Sequence, residues 1–196
     1  VFKDDPTVIV KPLKSVYPQG AKQVLLWNAT GKVVAAGQRL ASLGVIITNV
    51  TTLAKMARFF ETGMPLVDKC ISVDGSAVKN PKNIIVPIGT SMEYCFEQCG
   101  GFKTQPGRVL DGGPMMGRAV ASLDEPVVKA TSALVAMDLK DSVVIEPTAC
   151  LHCGKCVEAC PLNLNPVEFA RALDIDDEDE REAILKKEDV AQCMEC

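Results

Sequence analysis

The chain has 196 residues, 47% of them hydrophobic and 23% charged, with a net charge of −4 and a pI near 5.1. That is enough apolar side chain for a buried core in one large domain or two to three small ones, which excludes a disordered or fibrous class. Lys and Arg are dispersed rather than massed, so nucleic acid is not an expected partner, and the longest apolar runs, residues 44–47 and 133–137, fall far short of the roughly 20 residues needed to cross a bilayer.

The first residues, Val1-Phe2-Lys3-Asp4, show no initiator Met, no basic segment before an apolar stretch and no small-residue cleavage site. They are expected to follow a cut inside a longer protein. Residues 7–10 are β-rich, Pro18 and Gly20 mark a turn, and residues 21–30 carry helical spacing up to Gly31, a natural helix-ending glycine. A second apolar strand is expected at 45–48. It runs into Asn49 as an N-cap, after which Leu53, Met56, Ala57 and Phe60 mark one face of a helix closed by Gly63 and Pro65. This opening third reads as α/β.

From about Asp68 the period shortens. Residues 70–73, 77–79 and 84–88 look like short strands, and Asp74-Gly75 favours a tight hairpin. Thr90 and Glu93 form a capping-box pair ahead of a helix whose Met92, Cys95, Phe96 and Cys99 share one face before Gly100-Gly101. A strand at 108–110 leads into Asp111-Gly112-Gly113-Pro114, so the segment reads as a small α+β module of β-grasp character. After Thr131 comes one more apolar stretch. Asn165, Pro166 and Glu168 then supply an N-cap, a first-turn proline and a capping carboxylate. The last helix is expected from the acidic run 176–180 to Lys186-Lys187, its charges opposing its own dipole ends.

Six of the nine cysteines lie from residue 150 onward, a clustering that suits metal in a reducing compartment better than disulfides. Cys150, Cys153, Cys156 and Cys160-Pro161 form the run C-x2-C-x2-C-x3-C-P. Three thiolates spaced by two residues let a tight loop wrap one face of a cubane, while the fourth turns away to serve a second cluster. Zinc sites usually pair two separated C-x2-C knuckles, which fits this run poorly. Cys193 and Cys196 look like the start of a second copy. On this scheme Cys150, Cys153 and Cys156 hold cluster one, Cys160, Cys193 and Cys196 hold cluster two, and each is one thiolate short within these 196 residues. The fragment is thus expected to carry incomplete clusters or none. His152 is read as a loop residue beside the cluster, and Cys70, Cys95 and Cys99 as small buried hydrophobes.

With these motifs in place, the chain from Val8 onward resembles the RnfC/RsxC family, the C subunit of the Rnf (Rsx) ion-translocating electron transport complex. The resemblance is carried by Tyr17-Pro18-Gln19-Gly20, Asn49-Val50-Thr51-Thr52, Ile88-Gly89-Thr90, Gly112-Gly113-Pro114-Met115-Met116-Gly117 and the cysteine run. It implies a multidomain α/β and α+β protein distantly similar to the flavin subunit of respiratory complex I. Residues 1–63 would be the second half of an α/β flavin and NADH domain, residues 64–130 an SLBB β-grasp domain, and residues 131–196 a truncated ferredoxin-like domain. It further implies two [4Fe-4S] clusters, FMN and NAD(H) in the full-length protein, with Gly20 and Asn49 near the flavin. Ala21-Lys22 departs from the acidic pair that complex I relatives carry there, and the glycine-rich flavin cradle of the family would lie upstream. The implied partners are the other Rnf subunits, ferredoxin and NAD(H), and the implied place is the cytoplasmic side of the bacterial plasma membrane, held peripherally. The isolated fragment is expected to be inactive as an oxidoreductase and translocase. The glycine string also reads as a turn that packs against its surroundings, and Gly20 and Asn49 as a turn glycine and a cap.

Two other functions compete. A soluble flavin-dependent reductase of the same architecture, such as the cobalamin reductase of bacterial microcompartments, would use the same cysteines. From a different class, zinc would merely staple the C-terminal part of an interaction module.

Overall fold

A computed structural model describes residues 5–35, 37–146 and 148–193. In chain order these form α1 (Lys22–Thr30), a 3-10 turn (Leu40–Leu43), α2 (Val50–Thr62), β1 (Asp68–Asp74), β2 (Lys82–Pro87), α3 (Met92–Gln98), β3 (Pro106–Asp111), β4 (Arg118–Ala119), β5 (Ala133–Asp138), α4 (Lys155–Ala159), α5 (Pro166–Leu173), α6 (Glu178–Lys187) and a closing 3-10 turn (Val190–Gln192). The architecture is mixed α and β, as expected. It divides into two compact units, one spanning Thr48–Thr148 and one made of the segments on either side.

The middle unit is built on a five-stranded sheet of order β2-β1-β5-β3-β4. β1 runs antiparallel to β2 and parallel to β5, and β3 runs antiparallel to both β5 and β4. One face is apolar because side chains alternate along a strand: Ile71 and Val73 of β1 and Leu134 and Ala136 of β5 are buried, as are Met92, Cys95 and Phe96 of α3 and the residue that follows it, Cys99. The rings of Phe96 and Phe102 lie 4.9 Å apart between centroids.

Several local expectations are corrected here. The last apolar stretch, read without an assignment, is the central strand of the sheet, and α2 lies in the same compact unit as the five strands. The tight hairpin at Asp74-Gly75 is absent, because Val73 pairs with Lys82 and the connection spans residues 75–81. Gly75 instead sits at φ +120° against β5, where an added Cβ would fall on the carbonyl of Ala136. Residues 77–79 carry one isolated bridge, Val78 to Phe102, and no strand. The cap of α3 is Ser91, whose Oγ accepts from the Tyr94 N–H at 3.3 Å; the Thr90 hydroxyl donates to the Pro87 carbonyl.

In the other unit, α1 ends at Gly31 (φ +75°), whose N–H donates to the Trp27 carbonyl. α6 begins at Asp177, whose carboxylate accepts from the Glu180 N–H at 2.8 Å, and closes on Lys186 and Lys187. Pro166 opens α5, but the Asn165 side chain makes no cap bond. Leu26, Leu164 and Ala172 are buried. Residues 7–10 and 45–48 form no strand; Ile9 and Ile46 are 88% and 86% exposed. Their β-rich composition describes what packs well on a sheet, and it builds no strand without a neighbour to pair with.

Candidate metal centre

The cysteine run lies on a loop shaped by two left-handed residues, His152 (φ +51°) and Gly154 (φ +73°). Each reverses the local path, so Cys150 and Cys153 are presented on consecutive bends and Cys156 in the first turn of α4; all three are exposed. A glycine serves easily at residue 154, whereas His152 adopts a conformation uncommon for a side chain. Its backbone N–H donates to the Cys150 Sγ at 3.3 Å. A peptide N–H aimed at a thiolate sulfur stabilises its negative charge, one of the levers on cluster potential. This backbone contact of His152 is one that no residue spacing advertises.

Cys160 closes α4, its N–H bonded to the Val157 carbonyl at 3.1 Å, and its own carbonyl accepts from Asn163 at 3.1 Å. Two linked turns carry the chain away from the loop, with Pro161 between them. Cys160 is half-buried where the other three are exposed. Cys193 follows the closing 3-10 turn, its N–H bonded to the Val190 carbonyl at 2.9 Å, and it is exposed. Cys196 lies outside the described residues. Among the described residues no three His, Cys, Asp or Glu side chains gather as a ready-made site for a single ion. The donor types are those the spacing leads one to expect of a cluster loop: exposed cysteines on a tight loop, an N–H directed at sulfur, and a trailing Cys-Pro.

Cys95 and Cys99 contrast with these. Both are fully buried, and burial, reinforced by Cys99 nearby, pushes the Cys95 thiol up to about 11; burial pushes Cys99 up as well. They are packing residues, as read from the helix face. Cys70 is exposed on β1 rather than buried, because it falls on the opposite side of the strand from Ile71.

Gly20 and Asn49 fall in different units. At Gly20 an added Cβ would meet nothing within 4 Å, so no steric demand on glycine is visible. The Asn49 Oδ1 accepts from the Thr51 N–H at 2.8 Å, capping α2 as expected. Asn49 also lines a cavity of about 680 Å³ with Thr51, Thr52, Lys55 and Met56. Lys55 and Arg58 both pair with Asp68, and the Lys55 hydrogen bond, ahead of the two cationic charges, holds the Asp68 carboxyl below its usual range. In the glycine string, Gly117 donates to the Gly113 carbonyl at 2.7 Å and Met115 and Met116 are exposed. The segment is a closed turn after β3. Beside it, Arg118 bridges Asp111 and Glu125.

Comparison with known proteins matches the same two regions. Residues 70–119 match the SLBB domain and residues 142–196 the 4Fe-4S dicluster domain. The chain is 40% identical over 167 residues to the C subunit of the Na+-translocating ferredoxin:NAD+ oxidoreductase complex of Acetobacterium woodii, covering 85% of this chain and 38% of that protein. It is 39% identical over 159 residues to the C subunit of the proton-translocating ferredoxin:NAD+ oxidoreductase complex of Clostridium ljungdahlii, covering 81% and 35%. It is 35% identical over 153 residues to the C subunit of the ion-translocating oxidoreductase complex of Rhodobacter capsulatus, covering 78% and 30%. It therefore spans under two-fifths of the length of these relatives. No helix among the described residues is long and apolar enough to cross a membrane. An SLBB domain followed by a 4Fe-4S dicluster domain, at this identity and in this order, makes the chain a homologue of the C subunits of the ion-translocating oxidoreductase complexes.

Proposed function

We propose that this stretch is the electron-relaying part of an ion-translocating ferredoxin:NAD+ oxidoreductase, the complex whose C subunits it resembles. The observation that carries the reading is the loop of Cys150, Cys153 and Cys156, bent at His152 and Gly154 and bearing an N–H on the Cys150 sulfur, inside the 4Fe-4S dicluster match. Cys150, Cys153 and Cys156 hold one [4Fe-4S] cluster and Cys160, Cys193 and Cys196 the other, each set completed by a further thiolate. Bound clusters supply one-electron transfer without bond-making chemistry. The chain's own part is to present soft ligands, stabilise the charge on sulfur, and carry Cys160 away from its three neighbours so that two sites stand close together.

FMN and NAD(H) belong, on this reading, to the α/β flavin and nucleotide domain of the full-length protein, with Asn49 on the flavin side. The cavity at the head of α2 gives Asn49 a place beside a ligand. The partners are the membrane subunits of the complex and ferredoxin, with the chain held peripherally on the cytoplasmic face of the bacterial plasma membrane.

The test is anaerobic reconstitution of the full-length protein with iron and sulfide. Two clusters require about eight iron and eight sulfide per chain, a dithionite-bleachable absorption near roughly 400 nm and EPR signals on reduction. Stoichiometric colourless zinc would overturn the relay. Asn49→Ala is expected to weaken FMN retention; undiminished retention removes Asn49 from the flavin site.

A further inference from the structure

The cavity of about 680 Å³ is lined by α2, by the start of β1 and by the segment leading into β5, all within the compact unit Thr48–Thr148. Its lining is of two kinds. Met56, Phe59, Phe60 and Leu66 are apolar, whereas Asn49, Thr51, Thr52 and Ser132 carry amide and hydroxyl groups. Asn49 uses its Oδ1 on the Thr51 N–H, which leaves its amide NH2 as a donor. Among the described residues, the three hydroxyls have no protein partner.

Four charged side chains complete the lining: Lys55, Asp68, Lys69 and Lys129. Asp68 is neutralised twice, by Lys55 and by Arg58. Lys69 and Lys129 form no ion pair among the described residues. The Lys69 Nζ donates to the Lys129 carbonyl at 2.6 Å, so two lysines 60 positions apart in sequence are tied to one part of the lining. Two uncompensated ammonium groups beside unpartnered hydroxyls suit an anion, because lysine takes phosphate as a point charge and hydroxyls donate to the remaining oxygens. The phenyl rings suit a flat ring joined to that anion. The volume lies within the range of roughly 300–1,000 Å³ typical of small-ligand sites.

Deepening the reading that places Asn49 beside the flavin, we propose that Lys69 and Lys129 are the specificity-determining residues of this cavity, selecting a ring compound that bears a phosphate monoester over its dephosphorylated counterpart. Recognition of charge then falls to β1 and the approach to β5, while α2 supplies the cap amide and the ring contacts. FMN and a nucleoside monophosphate share this chemistry, and riboflavin and adenosine lack it.

The experiment measures binding of FMN, riboflavin, AMP and adenosine to full-length wild type, Lys69→Ala, Lys129→Met and Lys129→Arg by equilibrium dialysis. Loss of either ammonium is expected to weaken FMN by about tenfold and to leave riboflavin unchanged, and Lys129→Arg, which keeps the charge, should bind as wild type does. Added salt should narrow the gap between FMN and riboflavin in wild type more than in the variants. The Lys129 side chain makes no hydrogen bond or ion pair among the described residues, so Lys129→Met tests the charge without disturbing the fold. If Lys69→Ala fails to fold, Cys70 supplies a second measurement, since it is exposed and lines the same cavity. Saturating FMN should slow its alkylation by iodoacetamide, read on the peptide that carries it, and Lys129→Met should remove that protection at the same FMN concentration. Equal losses for FMN and riboflavin, or no loss in Lys129→Met, overturn the proposal and leave the flavin reading of Asn49 standing. AMP bound as tightly as FMN, with the same dependence on the lysines, supports the phosphate selection and overturns the flavin reading. FMN binding untouched by each of Asn49→Ala, Lys69→Ala and Lys129→Met overturns both.

Discussion

Cysteines occupy two opposite environments in this chain. In the sheet unit, Cys95 and Cys99 are sealed under α3 with their thiols pushed toward the neutral form. In the other unit, Cys150, Cys153 and Cys156 stand in solvent on a loop whose bends are set by His152 and Gly154. A thiol serves as a small hydrophobe where desolvation penalises its charge, and is available to a ligand or reagent where loop geometry presents it to solvent.

The contrast is open to attack through the stability of the sheet unit, beginning with the largest effect. Phe96→Ala empties the centre of the buried cluster and is expected to cost about 3–5 kcal/mol by denaturant unfolding. Gly75→Ala forces a side chain into φ +120° against the Ala136 carbonyl, and a loss of at least about 2 kcal/mol is expected. A mild effect there would mean that β1 and β5 tolerate separation. Asn49→Ala removes the α2 cap and should cost about 1 kcal/mol, readable as a lower unfolding midpoint. Cys153→Ser should leave the unfolding of the sheet unit unchanged while lowering iron content by about half; a destabilised sheet would break the division between the two kinds of cysteine.

The subtlest check uses pH. The folded Cys95 thiol is raised from about 9 to about 11, so between these values the native state holds a proton that the unfolded state has released. Stability is then full below about pH 9 and declines as pH rises through about 11. Cys95→Ala should flatten that decline. In the metal-free protein, a thiol reagent at neutral pH should label Cys150, Cys153 and Cys156 and spare Cys95 and Cys99 until unfolding.

Helices were more legible than strands. α1, α2, α3 and α6 follow from caps, C-terminal glycines and apolar spacing, all local signals within one or two turns; only the α3 cap moved, from Thr90 to Ser91. A strand requires a partner. Residues 7–10 and 45–48 have strand composition and no ladder, whereas β4 is two residues long and exists because β3 lies beside it. The cysteine run was legible because its spacing is a local signal that can be read without knowing how the chain packs. The contribution of α1 to the same unit was not, since Trp27 and the backbone that follows Cys160 are brought together by tertiary packing alone.

The position of β5 sets the order in which the chain can be completed. The sheet's middle strand is the last of its strands to be synthesised, so β1–β2 and β3–β4 emerge as separate ribbons that cannot share a core until Asp138 has left the ribosome. Cys150 follows only a short stretch behind. Closure of the sheet and emergence of the cysteine run thus fall in the same interval of translation, and an expression boundary drawn at residue 130 would sever that step by deleting the strand on which both ribbons meet.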